Sequence, residues 1–319
     1  MGGALQSAQD LARACQGITL SPHELVLSGP GEPLALAAVA RAFADLRPDW
    51  SEGGLALDPC GAAARGELGA PLAASLARLG PALDLLGWSG PERRALEVDT
   101  SPFHAAGASE AEDLGLALAN ALELLRHAGR PPAEARAQLR FALPLPSDLF
   151  LGIAKLRALR ALWARAEEVL GLTPAPIPVH AQSAWRELGA RDPWVNVLRG
   201  TATAFAAAVG GADSLTVAPF DACLGGADPV AQRVARNTHT ILREESHLHR
   251  VADPGAGSYY LEDLSAGLAR EAWGFLQAVE GQGGLAAVLE SGWLAERLAA
   301  RAAERARAVA KRRLALTGV

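Results

Sequence analysis

The chain has 319 residues, of which 50% are hydrophobic and 20% charged, and its net charge is −5 at neutral pH. That supplies enough apolar surface for a sizeable core in one α/β barrel or two small domains, and it excludes disordered, collagen-like and disulfide-stapled classes. An isoelectric point near 5.8 leaves no overall basic footprint for nucleic acid. No apolar run is long enough to span a membrane, no basic-then-apolar leader opens the chain, and Cys15, Cys60 and Cys223 form no CxxC pair. A cytoplasmic protein is expected.

Taken in chain order, the sequence alternates short β-type runs with longer amphipathic ones. Ala4–Gln16 reads as a helix, then Glu24–Ser28 as a strand and Pro33–Leu46 as a helix. Leu55–Pro59, Ala95–Asp99, Leu139–Leu145, Ile177–Ala181, Ser214–Pro219 and Ser258–Leu261 are the further strand candidates. Between and after them lie the helix candidates Ala64–Leu79, Ser109–His127, Ser147–Leu170, Val195–Val209, Pro229–His247 and Ser265–Glu280. Ser109 with Glu112 has capping-box spacing. The strands are mostly continuous apolar runs, as expected of parallel strands covered on both faces. Even spacing with no reversal of order favours a (β/α)8 TIM-type barrel over a doubly wound sheet. Seven of its eight strands are present, and strand 1 is the one lacking.

The barrel is expected to occupy residues 1–280, followed by a C-terminal helical linker over 281–319. In it, Gly283–Ser291 reads as a short helix and Trp293–Leu314 as an arginine-rich one. Those cations are a patch for an acidic partner or nucleotide, or a solvated face balanced by Glu296 and Glu304; arginine being this chain's default cation favours the solvated face.

Few motifs carry chemistry by themselves. GxGxxG, GxxxxGK[ST] and GxSxG are all missing. Glu244, Glu245, His247 and His249 invite a metal reading, but only Glu244 and His247 have helical i, i+3 spacing and no second ligand pair matches, so no metal is expected. His104 follows the strand Ala95–Asp99, and His180 ends the run PIPVHAQ with Gln182 on the same strand face. Barrel active sites gather at the C-terminal strand ends, which makes both histidines site candidates. A lone histidine there is more often a hydrogen-bonded structural residue.

The longest informative stretch is RVARNTHTILREESHLHRVADPGAGSYYLEDL, over 233–264. With DPWVNVLRGTATAFAAAVGGADSLTVAPFD, IAKLRALRALWARAEEVLG, SPFHAAGASEAEDLGLALANALELLR and GGLAAVLESG, it resembles the adenosylcobalamin-dependent acyl-CoA mutases of the methylmalonyl-CoA mutase family. The likeness is strong over residues 95–291 and weak over the first 90. It implies a substrate-binding (β/α)8 barrel through which acyl-CoA threads, with the cobalt cofactor across its mouth.

Residue by residue, the resemblance is uneven. The active-site histidine of SGYHMQEAGA is similar to His104 in SPFHAAGA, and the substrate-contacting pair of HxQTSGW to His180 and Gln182 in HAQSAW. The serine of GGTQSL is similar to Ser214, but Asp213 replaces the glutamine before it. Ala222 stands where the family has a carboxylate, and Gln138, Arg140 and Ala142 replace three positions of RLSFF. The glutamine of TIQND has no counterpart in LALDPC, and Arg65 is out of register for the carboxylate-binding arginine. A DxHxxG motif needs an aspartate two residues before a histidine, and none of the seven histidines has one.

These departures imply the small, non-catalytic subunit of a heterodimeric mutase, supporting a catalytic large subunit that interconverts methylmalonyl-CoA and succinyl-CoA. Adenosylcobalamin would be bound by that partner or by a domain outside this chain. By resemblance, His104 is the catalytic candidate, and His180, Gln182 and Ser214 are the substrate-binding candidates for acyl-CoA. Neither nucleic acid nor membrane is an expected partner. The alternatives are the substrate-binding subunit of a split mutase, and an orphan or truncated barrel with no mutase role.

Overall fold

The computed structural model describes residues 7–20, 25–30, 32–88, 92–225 and 228–317. Residues 4–6 of the expected first helix and Glu24 of the first strand lie outside them. The first half runs α1 (Ala8–Ala14), β1 (Leu25–Leu27), α2 (Pro33–Leu46), β2 (Gly53–Leu57), α3 (Pro59–Arg65), α4 (Leu72–Ala77), α5 (Leu79–Leu86) and β3 (Arg93–Asp99). Next come α6 (Ser101–Ala106), α7 (Glu110–His127), α8 (Pro132–Ala137), β4 (Leu139–Leu145), α9 (Leu149–Val169), β5 (Val179–Ser183), α10 (Val195–Gly210) and β6 (Ser214–Thr216). The chain ends through α11 (Pro229–Thr240), α12 (Tyr259–Gly281), α13 (Leu285–Glu290) and α14 (Trp293–Ala310).

All six strands are parallel and pair in sequence order, β1 to β6. The sheet curls into a part-barrel, as expected of a TIM-type winding short of strands. Strand parity sets the two faces. Leu96, Val98, Leu139, Phe141, Leu143, Val179 and Ala181 point outward and are buried beneath the helices. The alternate positions, among them Glu97, Arg140 and His180, face the concave side.

One expected strand is corrected. Ser258–Leu261 is not a seventh strand: Ser258 is the N-cap position of α12, and Tyr259–Leu261 are its first turn. The β propensity of the tyrosine pair is overridden because Leu261, Ser265, Leu268, Ala272, Phe275, Leu276 and Val279 repeat at helical spacing and bury one face. Tyr259 is 94% exposed and packs in no sheet. α12 lies outside the barrel wall against α7 and α9.

Two expected helices are also reshaped. Ala64–Leu79 is broken where Gly66 takes a left-handed φ of 71° and caps α3, and again by Pro71 at the N-cap of α4. Pro229–His247 stops as an α-helix at Thr240, passes through a π-turn over Ile241–Glu245, and has left the helix at His247, whose φ is 54°. Glu244 and His247 therefore share no regular helix face. Beyond Gly281, Leu285, Val288, Leu294 and Leu298 are buried in the same core as the barrel helices. Among the described residues no helix is long and apolar enough to cross a membrane.

Candidate functional site

The concave face encloses a cavity of about 610 Å³. Alternate strand positions line it: Glu97 and Asp99 from β3, Arg140 and Ala142 from β4, His180 and Gln182 from β5, Ser214 and Thr216 from β6. Asp58 closes the β2 end, and Ser28 to Pro30 follow β1. In a packed barrel these positions carry branched apolar side chains, so the polar lining marks a site rather than a core layer.

These groups face one another. Arg140 pairs with Glu97 at 2.5 Å, in direct register across β3 and β4. Arg65, reaching in from α3, donates to Asp99 Oδ2 at 3.0 Å and to Glu67 at 2.7 Å. Gln182 Nε2 donates to Ser101 Oγ at 2.5 Å and toward Asp99 Oδ1 at 3.4 Å. His180 is held between two hydroxyls, with Nδ1 2.8 Å from Ser214 Oγ and Nε2 3.1 Å from Thr216 Oγ1. Burial lowers the His180 pKa, the Arg140 charge adds to this and Asp99 opposes it, which leaves a neutral imidazole at neutral pH. Burial raises Glu97 even with Arg140 beside it.

Asp58 stands in LALDPC opposite the TIQND motif, and the sequence assigns it no role. It accepts from the Gly61 N–H at 2.9 Å, from Asn120 Nδ2 at 3.0 Å and from the Asp99 N–H at 3.1 Å. Burial nevertheless pushes its pKa up to about 7, against those hydrogen bonds and with help from the nearby Asp99 charge. The local signal was present: an Asp-Pro pair at a strand end is an N-cap followed by proline at the first helical position.

Thus His180, Gln182 and Ser214 meet on one cavity, whereas His104 is not among its lining residues. His104 is buried on α6, its Nε2 2.9 Å from Glu110 Oε1. It belongs to a buried ionic network. Lys155, fully buried on α9, reaches Glu110 at 2.5 Å, Asp113 at 2.7 Å and the Pro144 carbonyl at 2.7 Å. Arg186 donates to Glu110 and to the His104 and Ala108 carbonyls, and Thr100 Oγ1 donates to Asp113. Burial opposes ionisation of Glu110, but Lys155, His104 and Arg186 together hold its pKa below the carboxylate range. In Asp113 burial prevails over Lys155 and raises the pKa, and Asp113 Oδ1 has no hydrogen-bond partner. This network too was missed, although a lysine inside LFLGIAKLRALRALW and two carboxylates at i, i+3 on α7 were visible.

Neither site histidine offers a free ring nitrogen as a lower axial ligand for adenosylcobalamin: His104 Nε2 meets Glu110, and both His180 nitrogens meet hydroxyls. Nor do three or more His, Cys, Asp or Glu side chains gather as a metal centre among the described residues.

The whole chain, residues 1–319, matches the family described as Methylmalonyl-CoA mutase. It is 44% identical to the methylmalonyl-CoA mutase small subunit of Streptomyces virginiae over an alignment of 329 residues, covering 100% of this chain and 52% of that protein. It is 40% identical to the small subunit of Propionibacterium freudenreichii subsp. shermanii over 235 residues, 72% of this chain and 37% of that one. Against the methylmalonyl-CoA mutase of Escherichia coli (strain K12), identity is 35% over 218 residues, 66% of this chain and 30% of that enzyme. The chain spans about half the length, or less, of these relatives. On the full-length match and these identities, the chain belongs to the methylmalonyl-CoA mutase family.

Proposed function

We propose that this chain serves as the barrel part of a small subunit that supports a catalytic mutase subunit interconverting methylmalonyl-CoA and succinyl-CoA, without itself catalysing the reaction. One observation carries this reading. The cations and donors on the cavity face are taken up by neighbouring carboxylates and hydroxyls: Arg140 by Glu97, Arg65 by Asp99 and Glu67, and Gln182 by Ser101. An acyl-CoA brings phosphates and, here, a substrate carboxylate, and its binding would have to break those pairs and leave the partly buried Glu97 and Asp99 without their cations. Adenosylcobalamin is assigned to the partner subunit or to a domain outside this chain. In that arrangement residues 1–280 are the barrel and 281–319 its helical extension. Three unpaired cysteines support a reducing, cytoplasmic setting.

Gel filtration with the catalytic subunit tests the proposal. Co-elution, with higher partner activity or stability, is expected; separate elution with no effect on the partner overturns it. A second reading, the substrate-binding half of a split mutase, draws on the meeting of His180, Gln182 and Ser214 at one cavity. Calorimetry with methylmalonyl-CoA and succinyl-CoA separates the two, since heat of binding to the isolated chain favours the second. A folded monomer that shows neither behaviour is the orphan barrel.

A further inference from the structure

The stretch Trp293–Leu314 carries seven cations, and the structure divides them. Arg297 pairs with Glu112 at 2.8 Å, Arg301 lies near Glu112 and Glu304, and Arg305 reaches Glu187 at 3.7 Å. Arg307, Lys311, Arg312 and Arg313 are exposed and take no carboxylate partner among the described residues. Arg191, in the loop between β5 and α10, is exposed and equally unpaired, and its neighbour Asp192 pairs with none of the five.

Arg191 and Arg312 line one groove of about 680 Å³ whose other walls include Val309, Ala310, Leu314 and Leu316, with no acidic residue among its lining. Arg199 on α10 donates to the Thr317 carbonyl, which holds the tail against that helix. On α10, Leu198 is 69% exposed, and Trp194 at its N-cap, four residues earlier, is 62% exposed. The helix dipole favours cations on a last turn. That accounts for Arg307 and Lys311. It does not account for Arg191, which comes from another element, or for an acid-free apolar groove on a chain whose net charge is −5.

We propose that this groove docks a segment of a partner polypeptide in which acidic and apolar side chains alternate. The inference rests on the partner-subunit reading and names the surface that reading requires. Charge complementarity selects the acid, and the Val309, Leu314 and Leu316 walls select the apolar residues. Nucleic acid is disfavoured because the groove lining offers no aromatic ring for stacking.

The probe is a fluorescein-labelled peptide of alternating glutamate and leucine, titrated against the full chain by fluorescence anisotropy. Binding should weaken about tenfold between roughly 50 and 300 mM salt. R191E/R312E should lose at least about tenfold in affinity, while R41E/R165E, which removes the same charge from exposed positions on α2 and α9, should bind as the wild type does. Circular dichroism of both variants checks that they fold. No binding by the wild type, equal binding by R191E/R312E, or tighter binding of duplex DNA or anionic vesicles overturns the proposal. Gel filtration with the catalytic subunit separates the two levels. If the wild type and R191E/R312E co-elute equally, the groove is wrong and the subunit reading stands. If the wild type does not co-elute, the subunit reading falls, and the peptide titration still decides the groove.

Discussion

Lys155 shows how much a single residue can decide. Its ammonium is the shared counter-ion of Glu110 and Asp113, and the three are buried together. Lys155→Met should cost about 3–5 kcal/mol in urea unfolding, because the buried Asp113 loses its ammonium partner and Glu110 keeps only Arg186 and His104. Adding Glu110→Gln and Asp113→Asn to that variant should recover much of the loss, and no recovery would mean that the damage is to packing. Asp58 makes a pH prediction. Its folded pKa of about 7 lies above the unfolded value of 3.8, so between these limits the folded state holds a proton that the unfolded state has lost. Its contribution to stability is therefore present below about pH 4 and declines as pH rises toward about pH 7. The difference in unfolding free energy between wild type and Asp58→Asn should fall with pH across that window, by at most about 1.4 kcal/mol per pH unit. A difference that is flat with pH would show that Asp58 ionises normally.

At the scale of elements, α14 is seated by a glycine. Gly107 ends α6 with φ at 127°, and a Cβ there would stand 2.4 Å from the Leu298 carbonyl oxygen. Gly66 also has positive φ, at 71°, but has nothing within 4 Å. Gly66→Ala should cost about 1 kcal/mol through backbone strain alone. Gly107→Ala should cost about 3 kcal/mol or more, because it also pushes α14 off its seat. Urea midpoints read the difference, and equal losses would show that α14 is not closely packed there. Loss of that seat should also speed proteolysis within 293–310, since the Arg297–Glu112 pair depends on the same approach.

For the whole molecule, the core is continuous from Ala8 to Leu298 and takes in the C-terminal helices. Trp50, Trp163 and Trp293 report on its N-terminal, central and C-terminal parts. Thermal unfolding should therefore be a single transition, with tryptophan fluorescence and circular dichroism coincident. An early fluorescence change confined to variants that retain only Trp293 would divide the molecule near Gly281. The sheet pairs no further strand beyond β1 or β6 among the described residues.

The alternation of apolar runs and amphipathic helices was enough to read a parallel sheet wound in one direction, because a strand covered on both faces and a helix covered on one need different spacings of apolar residues. Period two was also enough to put His180 with Gln182 on one face. Local pattern went wrong at Ser258–Leu261, where β propensity competed with a helical burial stripe that becomes evident only when α7 and α9 are in place beneath it. It could not separate His104 from the cavity, because its environment comes from Glu110, Lys155 and Arg186 on other elements. Family likeness, strand parity and net charge were determined by the sequence itself. Which charges meet was decided by the tertiary structure, since Arg65 finds Asp99 across 34 residues and Arg297 finds Glu112 across 185. The strength of such pairs depends on distance through space and on the water removed around them, neither of which is written in the spacing along the chain.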